Sequence, residues 1–373
     1  MGLFPQALPD FPWDTLAPYV KRAGSHPDGL VNLSVGTPVD PTPGVVQRAL
    51  AQAADAPGYP TVHGTPALRE AVAAWFARRR AVPDLDPEAV LPTIGSKEFV
   101  GLLPGLLGLS EGDVVVHPAA AYPTYDVGAR ITGATALATD TVADWAGNTD
   151  VKLVWVNSPS NPTGAVASRE YLQEVVAAAR RIGAVVASDE CYAELAWEEP
   201  YASEGVPSVL DPQVCGHSHE GLLAAYSLSK QSNLAGYRAA FAAGDPVLIG
   251  RLVEARKHLG MMMPAPVQAA AMAALMDDSH VAAQRRVYQA RRDALRTAVL
   301  GAGLRIDDSD AGLYLWVTRG EDCWATVDWL ASLGIVVAPG SFYGSAGAQH
   351  VRIALTASDE RVAVAVSRLA KDR

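Results

Sequence analysis

Lys230 lies directly after the apolar run Leu222-Leu223-Ala224-Ala225-Tyr226, and Ser227, Ser229 and Arg238 bracket it. A charge at the end of a buried strand is costly unless it is paired or held neutral. One chemistry that uses such an amine is a Schiff base with an aldehyde cofactor, whose phosphate accounts for Ser227, Ser229 and Arg238. The plainer alternative is a surface lysine that follows a core strand. The chain has only six lysines, Lys21, Lys97, Lys152, Lys230, Lys257 and Lys371, so the search for a reactive amine is short.

Other residues with chemical potential fall at comparable places. Asp189 ends the run Ala184-Val185-Val186-Ala187-Ser188. There a carboxylate can keep a pyridine nitrogen protonated, or simply cap the next helix. Tyr192, three residues on, is able to reach a phenolic oxygen on the same ring. The turn Asn157-Ser158-Pro159-Ser160-Asn161-Pro162-Thr163-Gly164 holds two X-Pro bonds, one of them a natural place for a cis peptide. Asn161 in that turn is a donor for the ring oxygen, or part of a plain turn.

Gly95-Ser96-Lys97 opens a helix, where backbone N–H groups and the positive dipole end suit a phosphate. Tyr122 follows a short strand and is either a ring-stacking aromatic or a core residue. Arg352 stands among the apolar residues of His350-Val351-Arg352-Ile353-Ala354-Leu355. Burial there requires a carboxylate partner held in two-point fashion; the alternative is exposure on an edge strand.

The elements that must position these residues follow from periodicity. A helix is predicted over 67–80, with Leu68, Val72, Trp75 and Phe76 on one face. Short β-branched runs at 113–118, 151–157, 184–189 and 222–227 read as strands, and 168–182 as a helix capped by Ser168. Strands alternating with helices predict a mostly parallel sheet with helices on both faces, where ligands gather at the strands' carboxyl ends. After a long helical stretch over 265–301, strands at 312–318, 335–338 and 350–355 suggest a second, smaller α+β unit. The expected division is a large domain over 44–265, with 1–43 as an arm and 266–373 as the small domain.

Composition narrows the function classes. The 373 residues are 49% hydrophobic and 19% charged, as in an ordinary folded enzyme. A net charge of −10 argues against nucleic-acid binding. Cys191, Cys215 and Cys323 have neither metal-ligand nor disulfide-framework spacing, so no metal site is expected and a reducing cytoplasm is the simplest setting. Residues 1–5 lack the pattern of a signal peptide, and no apolar run is long enough to span a membrane. A soluble cytoplasmic protein is the expectation.

Taken in order, the Gly-Ser turn, the stacking aromatic, Asn-Pro-Thr-Gly, Asp-Glu-x-Tyr, Ser-x-Ser-Lys with a downstream Arg, and the late Arg resemble the class I/II aminotransferases of fold type I. These depend on pyridoxal 5′-phosphate (PLP). The resemblance implies an α/β fold with a large, mostly parallel sheet flanked by helices and a smaller α+β domain. It implies Lys230 as the Schiff-base lysine and proton shuttle, Asp189 on the pyridine nitrogen, and Asn161 and Tyr192 on the phenolic oxygen. Tyr122 then stacks on the ring. Gly95, Ser96, Lys97, Ser227, Ser229 and Arg238 then hold the phosphate.

Arg352 would bind the substrate α-carboxylate, with Gly36 lining the same pocket. Tyr59 matches a tyrosine that reaches the neighbouring subunit's phosphate, which implies a homodimer with shared active sites. Segments including Phe11-Pro12-Trp13-Asp14 and Gly312-Leu313-Tyr314-Leu315-Trp316 are similar to the actinobacterial N-succinyldiaminopimelate aminotransferases of lysine biosynthesis. These exchange an amino group between glutamate and N-succinyl-2-amino-6-oxopimelate. Lys97, Arg22 and Lys257 are then the candidates for the substrate's distal carboxylates. The alternatives are an aminotransferase for aspartate, alanine, kynurenine or LL-diaminopimelate, and a β-lyase on the same fold. A cofactor-sensing regulator fits less well, because no basic DNA-binding segment accompanies the domain.

Overall fold

The structure is a computed structural model that describes residues 8–9 and 11–371. Residues 1–5, read above for a signal peptide, lie outside the described part.

Among the described residues a 3-10 turn (Pro12–Leu16) and a helix (Ala17–Gly24) precede the first strand, the two-residue β1 (Val31–Asn32). The strands of the large sheet follow as β2 (Val90–Ile94), β3 (Val114–His117), β4 (Thr135–Ala138), β5 (Val151–Asn157), β6 (Val185–Asp189), β7 (Leu222–Ser227) and β8 (Ala239–Gly244). Their spatial order is β2-β8-β7-β6-β5-β3-β4. From β4 to β7 every pairing is parallel, while β8 runs antiparallel to both β7 and β2. β6, β7 and β8 are almost wholly buried, as a sheet covered on both faces requires.

The covering helices start and stop where local chemistry dictates. The helix Pro66–Arg79 is capped by Thr65, whose hydroxyl accepts from the Leu68 N–H at 3.2 Å, and it buries Leu68, Val72, Trp75 and Phe76. The helix Arg169–Ile182 is capped by Ser168 and ends at left-handed Gly183, φ 70°.

β9 (Arg305–Asp307), β10 (Tyr314–Thr318), β11 (Ile335–Val336), β12 (Ala338–Pro339) and β13 (His350–Ala354) complete the strands. β12-β13-β10-β9 form an antiparallel four-stranded sheet, and β11 pairs in parallel with β1, tying the amino-terminal arm to this smaller unit.

Three details differ from the sequence reading. The helical stretch over 265–301 is two helices, Ala265–Leu275 and Asp278–Gly301, because the Asp277 carboxylate accepts from the Ser279 N–H at 2.9 Å and starts a new helix. The first of them buries Ala270, Ala271, Ala274 and Leu275 in the core of the large sheet, so a domain boundary at 265/266 divides one packed unit. The run 335–338 is also split, β11 serving β1 and β12 serving β13.

Candidate active site

Asn157, Asp189 and Ser227 are the last residues of the adjacent parallel strands β5, β6 and β7, and Asn157 and Asp189 are register partners. The sheet thus delivers three polar side chains to one edge, at the carboxyl ends of its strands. The antiparallel strands add to that edge. Ser227 pairs with Ala240, and Ala239 pairs with Ile94, so Arg238 and the Gly95-Ser96 turn arrive beside Ser227.

A cavity of about 510 Å3 opens over this edge. Its walls include Ser96, Lys97, Ser227, Ser229, Lys230 and Arg238. Tyr122, Asn161, Asp189, Tyr192, Gly36, Tyr314 and Arg352 line it as well. Twelve of the expected site residues thus line one pocket, and Gly95 flanks it.

Lys230 sits in the single helical turn Leu228–Gln231, capped by Ser227, whose hydroxyl accepts from the Ser229 N–H at 3.2 Å. The Lys230 ammonium donates to the Gly36 carbonyl. The Ser227 and Ser229 hydroxyls are 2.9 Å apart. Gly95 is left-handed, φ 78°, at the start of the helix Ser96–Leu106, and a Cβ there would overlap the Arg238 guanidinium. The Arg238 guanidinium donates to the Ala235 carbonyl at 3.0 Å but has no carboxylate partner among the described residues. Two hydroxyls, a helix start and this guanidinium make a cradle suited to a phosphate.

Asp189 is buried. It accepts from the Tyr125 hydroxyl at 2.9 Å and from the Cys191 N–H at 3.2 Å. Burial pushes its carboxyl pKa up, against those two hydrogen bonds. A carboxylate in this position is best satisfied by a cation, such as a protonated ring nitrogen. Its neighbour Glu190 turns the other way, accepting from Arg80 at 2.8 Å and from the Val209 N–H at 2.9 Å, and belongs to the scaffold.

The Ser158–Pro159 peptide is cis. Asn157 accepts from the Asn161 N–H at 2.8 Å and donates to the Asp189 carbonyl at 3.0 Å, fixing the Asn161 turn against β6. Arg352 is only 3% exposed, because β13 lies inside its sheet and not at an edge. It donates to the Asn161 side-chain oxygen at 2.7 Å and to the Ser34 carbonyl at 2.8 Å. Its guanidinium lies 3.9 Å over the Tyr314 ring and 5.0 Å from that of Tyr343. The Arg352 Nε has no partner among the described residues, so the guanidinium retains donor capacity for an incoming carboxylate.

Three expected residues are not brought to the pocket. Tyr59 is 95% exposed and outside the pocket wall. Arg22 pairs with Asp328 on the surface, and Lys257 pairs with Glu254 at 2.6 Å, so neither is available for distal carboxylates. Position, which charge alone does not reveal, excludes both. Lys97 does line the pocket, and its ammonium lies 5.7 Å from both the Phe11 and Tyr122 ring centres.

Residues missed by the sequence reading include Tyr125, the hydroxyl donor to Asp189, and Tyr314, which meets the Tyr192 hydroxyl at 3.0 Å. Tyr125 stands three residues after Tyr122 at a helix start, a spacing that places both rings on one side. Tyr314 gives no such signal, because it reads as one more core position in an apolar strand.

A doubly covered parallel sheet with a lysine, a buried carboxylate and a phosphate cradle at its carboxyl edge defines a PLP-dependent transferase of fold type I. The family described as "Aminotransferase class I and II" matches residues 28–369, and the chain belongs to that family. It is similar to the 4-dedimethylamino-4-oxo-anhydrotetracycline transaminase OxyQ of Streptomyces rimosus, 58% identical over 97% of this chain and 99% of that one. A probable aminotransferase of Mycobacterium tuberculosis is 56% identical over 97% of this chain and 85% of its own length. A solved structure of a probable N-succinyldiaminopimelate aminotransferase from Thermus thermophilus superposes with a TM-score of 0.85 at 29% identity, covering 97% of this chain and 100% of that one.

The cofactor is therefore pyridoxal 5′-phosphate, and the donor set described above fits it. No helix among the described residues is long and apolar enough to cross a membrane, and no cluster of metal ligands occurs among them.

Proposed function

We propose that the chain transfers an amino group between glutamate and N-succinyl-2-amino-6-oxopimelate, with the residues of this pocket in the following roles. Bound pyridoxal phosphate supplies the electron sink that makes the substrate α-carbon acidic. Lys230 carries the cofactor covalently at rest and afterwards holds and moves the proton at that α-carbon. Asp189 keeps the ring nitrogen protonated, with Tyr125 fixing its carboxylate. Asn161 and Tyr192 donate to the phenolic oxygen, and Tyr122 covers the ring face.

Ser227, Ser229, Arg238 and the backbone of Gly95, Ser96 and Lys97 hold the phosphate. Arg352 takes the substrate α-carboxylate, with Gly36 forming the floor beside it. Tyr59, exposed at 95%, serves in this reading the phosphate of a neighbouring subunit in a homodimer.

The observation that carries the substrate is Lys97. It is a cation in the pocket wall beside the Phe11 and Tyr122 rings, without a carboxylate partner among the described residues. A substrate with carboxylates on a long arm satisfies it, and desolvating such an arm without a donor would be costly. A second reading has support of its own. The Streptomyces rimosus relative is a 4-dedimethylamino-4-oxo-anhydrotetracycline transaminase, and Phe11, Trp13 and Tyr122 give this pocket an aromatic lining suited to a planar substrate.

The test is a half-reaction panel on the purified holoprotein, following loss of the cofactor's visible absorbance. Glutamate and N-succinyl-LL-diaminopimelate are expected to bleach it quickly, and free LL-diaminopimelate, aspartate, alanine and kynurenine slowly. Absence of bleaching by the succinylated compound would remove the proposed substrate and leave the aminotransferase.

A further inference from the structure

Tyr314 is used by none of the roles above, yet it touches three of the residues that have them. Its hydroxyl is 3.0 Å from that of Tyr192, and its ring lies 3.9 Å beneath the Arg352 guanidinium. It also explains Gly36, since any Cβ at that position would overlap the Tyr314 hydroxyl. The pair is buried, with Tyr192 at 7% and Tyr314 at 3% exposure, so each phenol needs its partner.

We propose that Tyr314 is a positioning residue: it donates its hydroxyl proton to the Tyr192 oxygen and so orients Tyr192 and strengthens it as a donor toward the cofactor's phenolic oxygen. The inference rests on the assignment of Tyr192 made above. The charged and titratable groups facing Tyr314 are Arg352, Lys230, Tyr192, Cys191 and Tyr343. Burial raises the Tyr314 pKa, but the cations Arg352 and Lys230 and the Tyr192 contact outweigh it and leave the phenol more acidic than usual. Burial and the neighbouring Tyr314 push Tyr192 well up. A hydroxyl carries a single proton, so with the Tyr192 proton directed at the cofactor oxygen the proton shared by the two phenols must come from Tyr314. A donor that itself accepts a hydrogen bond is polarised and donates more strongly.

The experiment is a pH titration of the visible absorbance of holoprotein carrying Tyr314→Phe, Tyr192→Phe or both. Tyr314→Phe keeps the ring under Arg352, so its cofactor content should stay near wild type. Loss of the Tyr192 donor makes the phenolic oxygen more basic, so Tyr192→Phe moves the apparent pKa upward. Tyr314→Phe should move it the same way by about half a unit. The double variant should match Tyr192→Phe alone, because Tyr314 acts through Tyr192.

Gly36→Ala, which displaces the hydroxyl sterically, should reproduce the Tyr314→Phe shift. Tyr314→Leu, which also removes the ring beneath Arg352, should in addition raise the KM for glutamate about tenfold. A titration of Tyr314→Phe that overlays wild type while Tyr192→Phe is shifted would overturn the proposal alone. Additive shifts in the double variant would overturn it too, since the two residues would then act independently. Titrations that overlay wild type for both would overturn the Tyr192 assignment and this proposal with it.

Discussion

The two ends of the pocket are built differently. The Ser227–Arg238 end is made where strands stop and start: the last residue of β7, the residue before β8, and the turn after β2. Its donors are largely backbone N–H groups and short side chains whose places follow from the ladder. The Arg352 end is made from long side chains carried on strands, Arg352 in the middle of β13 and Tyr314 at the start of β10, held by stacking and by long reaches to Asn161 and Ser34. A site set by backbone termini tolerates little change in backbone angles. One set by packed side chains tolerates backbone drift, but not loss of a partner.

The largest expected effect lies where the two ends meet. Lys230→Ala should lower turnover at least about a thousandfold and abolish the cofactor's lysine-linked absorbance, as seen by stopped-flow and spectrum. Turnover near wild type would place the reactive amine elsewhere. At the side-chain end, Arg352→Ala leaves the Asn161 oxygen and the Ser34 carbonyl without their donor. It should raise the KM for glutamate about a hundredfold, with cofactor binding nearly unchanged.

At the backbone end the signature inverts. Gly95→Ala forces an L side chain to a φ of 78° and against Arg238. Cofactor affinity should then fall about tenfold, measured by reconstitution of the apoprotein, with little change in the KM for glutamate once the protein is saturated with cofactor. If both variants altered the same constant, the distinction between the ends would fail.

The smallest effect concerns Asp189 in the apoprotein. Its pKa is raised on folding by burial, so the folded apoprotein binds the proton more tightly than the unfolded chain does. That contribution is full below the unfolded carboxylate pKa and is lost as the pH rises through the raised value. Relative to wild type, the melting temperature of apo Asp189→Asn should therefore climb with pH across that window. If the cofactor's ring nitrogen pairs with this carboxylate, as proposed, the trend should disappear in the holoprotein. Parallel melting curves across pH for the two apoproteins would show that Asp189 carries no such penalty.

Much of the backbone end was legible because turns and strand ends write themselves in residue type. Gly95, Ser96, Ser227 and Arg238 stand out against the apolar runs that flank them, and Asp189 ends a buried run. Arg352 was visible through incongruity, a cation inside an apolar strand. Tyr314 was not, since an aromatic in Leu313-Tyr314-Leu315 looks like any core residue until the sheet turns it toward Tyr192. Arg22 and Lys257 went the other way: their charge suggested a role that their surface ion pairs, with Asp328 and Glu254, do not support. The helix boundary at Asp277 was readable as a cap, but the alanine-rich run on either side masked it.

The antiparallel turn of β8 and β2 at the edge of a parallel sheet has a further consequence for assembly. Ile94 meets Ala239 across a long stretch of intervening chain, a closure that is slow and entropically expensive compared with local contacts. The cradle beside that contact cannot exist before it forms, so loading of pyridoxal phosphate reports a completed sheet. Once bound, a ligand that bridges the ends of β2, β7 and β8 stabilises only the closed arrangement. Amide hydrogen exchange in β2 should accordingly slow more on reconstitution than exchange in β4 at the opposite edge, so that the cofactor doubles as a clasp for the strand that pairs across that long stretch of chain.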